Sequence, residues 1–142
     1  MPYTITASLW REPGTTPEFF KNYYKTKDIP LLMKKVGTPF PLPHTRHCVT
    51  RTPAQPASSD NSNANYQATV YGGTVEDFDY DAYSEMVFKR FEKFGAFAAK
   101  LAEVEATDEE WNQDMANYLD VSEKARRIVV VEEPVVSHRP EA

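Results

Sequence analysis

Tyr3-Thr4-Ile5-Thr6-Ala7-Ser8-Leu9-Trp10 alternates between two sets of side chains, Tyr3/Ile5/Ala7/Leu9 and Thr4/Thr6/Ser8/Trp10. That period of two is the pattern of a β-strand with two unlike faces. Glu12-Pro13-Gly14 then supplies a turn, and Thr16-Pro17 pairs an N-cap hydroxyl with a proline at the first helical position, where its missing N–H costs nothing. Phe19, Phe20, Tyr23, Tyr24, Lys27 and Leu31 follow at helical spacing and form a side able to pack on a sheet. Pro30 cannot donate to the Thr26 carbonyl, so the helix is expected to kink or to end its first segment near Asp28-Ile29.

Beyond the helix stop expected at Gly37, Pro39, Pro41 and Pro43 favour an extended connection into a second strand, His44 to Arg51. The polar stretch Pro53 to Asn65 lacks periodicity and reads as a flexible loop, and Tyr66 to Tyr71 as a short extended piece. Tyr80 to Phe88 reads as the third strand. Two helices follow, Arg90 to Val104 and Thr107 to Leu119, the second opening with a Thr-Asp-Glu-Glu cap pattern. The β-branched run Ile128-Val129-Val130-Val131, within Arg127 to Val136, suits a last strand buried on both faces. The order is β-α-β-β-α-β, an α+β, ferredoxin-like arrangement. A sheet apolar on both sides and with helices on one needs a cover for the other, and a second copy of the chain is the simplest one.

With 142 residues, the chain has the length of a single domain, 1–142, able to bury its own core. One cysteine, Cys48, rules out an internal disulfide and suits a reducing cytoplasm. A formal charge of -5 disfavours nucleic acid and anionic lipid as partners, and no apolar run reaches the length of a membrane span. Lys34-Lys35 and Arg126-Arg127 read as solvated faces.

Motifs for dinucleotide and phosphate loops, serine hydrolases and zinc sites are absent. His44 and His47 are an odd number of residues apart, so a strand sends them to opposite faces and a shared metal is not expected. Asp28 lies at the proline-disturbed point of the helix beside Phe20 and Tyr24. It reads either as a desolvated acid able to shuttle protons or as an exposed aspartate paired with Lys25 or Lys27. His44, Arg46 and Cys48 share one face of the second strand. His44 suits proton transfer near neutrality, though a structural role is open to it as well. Arg46 suits either an anionic oxygen or a pair with Glu85 across the sheet. Trp10, Tyr24, Phe40, Tyr83 and Met86 are candidate walls of an aromatic pocket, or simply core.

Three segments carry a family resemblance. Phe19-Phe20-Lys21-Asn22-Tyr23-Tyr24 leads to Asp28-Ile29-Pro30-Leu31-Leu32; then come Phe40-Pro41-Leu42-Pro43-His44-Thr45-Arg46-His47 and Phe78-Asp79-Tyr80-Asp81-Ala82 with Glu85-Met86-Val87-Phe88. In this order, across Tyr3 to Val131, they resemble the EthD family in its fungal form. The resemblance implies a homodimeric α/β barrel of secondary metabolism that takes a small aromatic polyketide or phenolic substrate. It implies no metal or organic cofactor, and a dehydratase or cyclising isomerase chemistry such as oxa-Michael ring closure. The family pattern usually has histidine where this chain has Asp28, whereas His44 matches. Asp28 and His44, with His47 as a further candidate, are therefore the implied acid/base residues. Two other readings stay open: a cofactor-free oxygenase of anthrone-like carbanions, and a non-catalytic binder of a hydrophobic metabolite or haem.

Overall fold

A computed structural model describes residues 2–41, 43–53, 65–121 and 126–140. Most of the stretch read as a flexible loop, 53–65, lies outside the described residues. Strand β1 (Tyr3–Leu9) leads into helix α1 (Pro17–Tyr23), a single π-helical turn (Tyr24–Asp28) and helix α2 (Ile29–Val36). Strands β2 (His44–Cys48), β3 (Arg51–Pro53) and β4 (Tyr66–Ala68) follow, then β5 (Ala82–Phe88), helices α3 (Phe91–Thr107) and α4 (Glu109–Tyr118), and β6 (Arg127–Val131). The main sheet has the order β2-β5-β1-β6 with every neighbouring pair antiparallel. This is the expected α+β, ferredoxin-like topology: the two hairpin-distant strands β1 and β5 take the centre.

The helices cover the face that bears Ile5, Leu9, Ala82 and Phe88. These join Phe20, Tyr24, Ile29, Leu32, Phe97, Trp111, Met115 and Tyr118 in one buried core. The opposite face carries Thr6, Ser8, Thr45, His47, Tyr83, Glu85 and Val129, by register and strand alternation. It is a mixed surface, more polar than the sequence reading anticipated.

Local chemistry sets the helix ends. The Thr16 hydroxyl accepts from the Phe19 N–H at 3.0 Å, with Pro17 first in the helix. Gly37, at φ 72°, closes α2 by donating its N–H to the Met33 carbonyl. The cap of α4 is Asp108, one residue after the expected Thr107; its carboxylate accepts from the Trp111 N–H at 3.0 Å.

Boundaries differ from the sequence reading at the second strand and at the last strand. The second strand stops at Cys48, and Arg51 begins a separate two-stranded sheet, β3 with β4. There Arg51 donates to the carbonyls of Tyr66, Phe78 and Tyr80 at 2.7 to 3.0 Å and pairs with Asp81 at 3.1 Å. Asp81 also takes the Arg11 backbone N–H at 2.9 Å and side chain at 3.3 Å. Satisfying two buried guanidinium groups on one carboxylate holds the chain out of the main sheet at this point. The last strand ends at Val131, ahead of Pro134. The expectation that it is buried on both faces is wrong for the single chain. As an edge strand beyond β1, it leaves Ile128, Val129 and Val130 53%, 58% and 52% exposed.

Pro30 does not break the helix. Tyr24, Asp28 and Ile29 all keep right-handed helical backbone, and the turn between Tyr24 and Asp28 widens. Such a turn bonds i to i+5 and takes more residues per revolution than an α turn. Pro30 falls in the first turn of α2, where no donor is required. The extra residue also resets the phase: Lys25 and Lys27 turn to solvent while Tyr24 and Asp28 both turn inward.

Candidate active site

Between the sheet and the helix layer lies a cavity of about 40 Å³. The sheet contributes Ile5, Ala7, Leu9, His44, Ser84, Met86 and Ile128 to its wall. The helices contribute Tyr24, Asp28, Leu32, Phe97, Trp111 and Met115, and Arg126 also lines it. Apart from Tyr24, Asp28, His44, Ser84 and Arg126, this lining is apolar.

The wide turn puts Asp28 here, 4% exposed, and its Oδ1 has no hydrogen-bond partner among the described residues. Neither lysine of the turn pairs with it, so the exposed, ion-paired alternative does not hold. Loss of hydration pushes its carboxyl up to about 6, against the opposing pull of the Tyr118 hydroxyl and Arg126. That hydroxyl neighbours the carboxyl without closing a well-formed hydrogen bond to it.

His44 reaches the cavity from β2. Both ring nitrogens are buried without a partner among the described residues, and Phe40 meets the ring edge-on at 5.7 Å between centroids. Burial, with Arg46 two residues along the same strand face, lowers the imidazole to about 4. His44 is therefore neutral at pH 7.

The remaining candidates divide. Tyr24 and Met86 line the cavity, and the Arg46 guanidinium lies 5.6 Å from the Tyr24 ring centroid. Arg46 does not pair with Glu85: it stands opposite Ser84 in the register, whereas Glu85 stands opposite Thr45 and points to the other face. His47 and Tyr83 stack on each other at 4.9 Å on that other face, away from Asp28 and His44. Among the described residues no cluster of three His, Cys, Asp or Glu side chains could hold a metal ion.

Trp10 belongs to a second, outer cavity of about 290 Å³ that it shares with Glu105, Trp111, Asn112, Met115, Leu119, Asp120, Val121 and Arg126. Trp111, Met115 and Arg126 line both spaces. Sequence reading did not reach these three. Arg126 looked like part of a solvated basic pair, and nothing in its neighbourhood announces that it folds back onto α3, where it forms an ion pair with Glu105.

No helix among the described residues is long and apolar enough to cross a membrane. No curated protein matches the sequence. Among solved structures, an EthD-like protein from Ralstonia eutropha JMP134 superposes with a TM-score of 0.52 at 15% identity, over 98% of this chain and 96% of that one. At that identity the likeness is one of fold. The EthD-domain family model matches residues 12–122, a span holding the wide turn, Asp28, His44 and the central strand β5. Most of the chain thus carries the family's sequence pattern on the fold found here, and the chain belongs to the EthD family.

Proposed function

We propose that the protein is a cofactor-free acid/base enzyme acting on an aromatic polyketide or phenolic substrate, by dehydration or by ring closure. One observation carries this reading: a buried carboxyl that titrates at about 6 shares an apolar cavity with a neutral imidazole whose nitrogens have no partner among the described residues. A base works best when its pKa lies near the operating pH. Asp28 meets that condition chiefly through burial.

In the reaction, the Asp28 carboxylate takes a proton from a carbon beside a carbonyl, or from a phenol. The His44 N–H donates to the carbonyl oxygen as charge builds on it, the role a neutral imidazole fills better than a weakly acidic alcohol. In dehydration, the carbanion expels a hydroxide from the β-carbon, and the proton held by Asp28 completes the water. In ring closure, the phenolate attacks the β-carbon of an enone, and Asp28 returns its proton to the α-carbon. Each route ends with Asp28 ionised and His44 neutral, as it began.

The test is turnover of a panel of aromatic polyketides and hydroxychalcones in deuterated water. Ring closure through Asp28 places deuterium on the α-carbon of the product, and dehydration gives the unsaturated product. Tight binding of the panel without turnover overturns the enzyme reading and leaves a binder.

A further inference from the structure

At about 40 Å³, the inner cavity has room for a few water molecules and for the reacting end of a substrate, but not for an aromatic ring system. The outer cavity, about 290 Å³, approaches the size of small-molecule sites. The two are separated by Trp111, Met115 and Arg126, which line both. Trp111 is 1% exposed, and its Nε1–H is buried with no acceptor among the described residues. Among the described residues the charge partner of Arg126 is Glu105, whose side chain is 41% exposed. Arg126 also lies beyond the span, 12–122, that the family model matches.

We propose that the outer cavity binds an aromatic ring bearing an anionic oxygen, a carboxylate or phenolate, which displaces Glu105 from Arg126 and takes up the vacant Trp111 N–H. The guanidinium offers a forked set of donors that matches a carboxylate, and a buried unpaired indole N–H is costly until an acceptor arrives. Trp10 supplies a second aromatic wall. The direction in which the ligand points, toward Asp28, rests on the acid/base reading above; the binding itself does not.

The protein's only two tryptophans, Trp10 and Trp111, both line this cavity, so intrinsic fluorescence reports on it directly. The probes are 2-naphthoate and its uncharged isostere 2-naphthamide. Wild type should bind the acid about tenfold more tightly than the amide, the difference expected of one charge-assisted contact. Arg126→Gln should abolish that preference, weakening the acid about tenfold and the amide far less. Glu105→Gln, a change at a half-exposed side chain that does not endanger the fold, should tighten naphthoate severalfold. Equal affinity of acid and amide for wild type, or naphthoate binding untouched by both variants, overturns the subsite. Because these readouts need no turnover, they can fail while the role of Asp28 stands, and hold while it fails.

Discussion

Asp28 and His44 meet the same cavity from opposite layers, one from the helical side and one from the sheet, and their usual order of proton affinity is reversed. The carboxyl keeps its proton up to about pH 6, whereas the imidazole gives its proton up by about pH 4. In an unfolded chain at pH 5 the histidine would carry the charge and the aspartate would be ionised. Folding moves the site to a neutral pair. Dehydration of both groups is the leading cause, since each neutral form is the one a dry cavity tolerates.

The reversal has a measurable signature in stability. For Asp28 the folded value lies above the unfolded 3.8, so its contribution is lost as pH rises from about 4 through about 6. For His44 the folded value lies below the unfolded 6.5, so its contribution is lost as pH falls from about 6.5 toward 4. The two slopes oppose each other between pH 4 and 6. Asp28→Asn should therefore show stability rising with pH across that window, and His44→Gln stability falling. Urea midpoints at half-unit pH steps would show it, and parallel curves for both variants and wild type would contradict the reversed order.

The same substitution separates stability from function. Above pH 6, Asp28→Asn should be more stable than wild type by up to about 3 kcal/mol, because the cost of ionising a dry carboxyl disappears. Turnover should fall by roughly a hundredfold or more, as for loss of a general base. His44→Ala should lower turnover to a similar extent. Asp28→His should retain part of the activity, with its pH dependence moved toward the range of imidazole titration. Near-normal rates in both Asp28→Asn and His44→Ala would remove the assignment.

A homodimer is expected, with the helix-free face of the sheet as its interface. That face presents the His47–Tyr83 stack and Val129, and β6 adds exposed Ile128 and Val130 at the sheet edge. Light scattering across a hundredfold range of concentration should give twice the monomer mass of 16.2 kDa. A monomer throughout would remove the barrel. Tyr83→Asp should weaken a dimer built on this face while leaving the fold of the single chain intact.

Asp81 should be the most sensitive polar position outside the cavity. Its side chain and those of Arg11 and Arg51 are at most 3% exposed, and its carboxylate serves both guanidinium groups. Asp81→Ala leaves two buried cations without their counter-charge, and breaking a buried pair from one side costs about 3–5 kcal/mol. Chemical unfolding would measure this directly, and a loss under about 1 kcal/mol would mean that the carbonyls around Arg51 suffice.

The topology was legible in the sequence because the strands and helices announce themselves by period. Tyr3–Leu9 alternates, Phe91–Thr107 repeats on one side, and Thr16-Pro17 and Gly37 mark ends that formed where expected. Asp28 and His44 were legible as candidates, and the placement of both in one cavity followed. The phase of Asp28 was not. A uniform α period puts Lys27 nearer the apolar side, and only the widened turn brings the carboxyl inward. Arg126 escaped because its place depends on a contact with α3, distant in sequence and with no local periodicity; Trp111 was within reach, since it repeats with Met115 and Tyr118 at helical spacing on the buried side of α4. The solvent exposure of β6 escaped for a related reason. A β-branched run records a preference for strand, but whether a strand ends at the centre or the edge of a sheet is decided by its neighbours.

The turn from Tyr24 to Asp28 makes the acid a matter of counting. A π turn in an otherwise α-helical run is equivalent to one inserted residue. Deleting Thr26 would let α1 and α2 join in a uniform winding with both segments in the phase they have now, because the wide turn had absorbed that extra residue. Phe20, Asp28 and Leu32 would all keep to the core side; were the same residues instead wound as a uniform α-helix without the wide turn, the segments on its two sides would be out of phase by about a quarter of a turn. A single-residue change of length within this one helical segment can thus be absorbed at the turn, and the acid stays buried only as long as the extra residue is absorbed there rather than wound into a uniform helix.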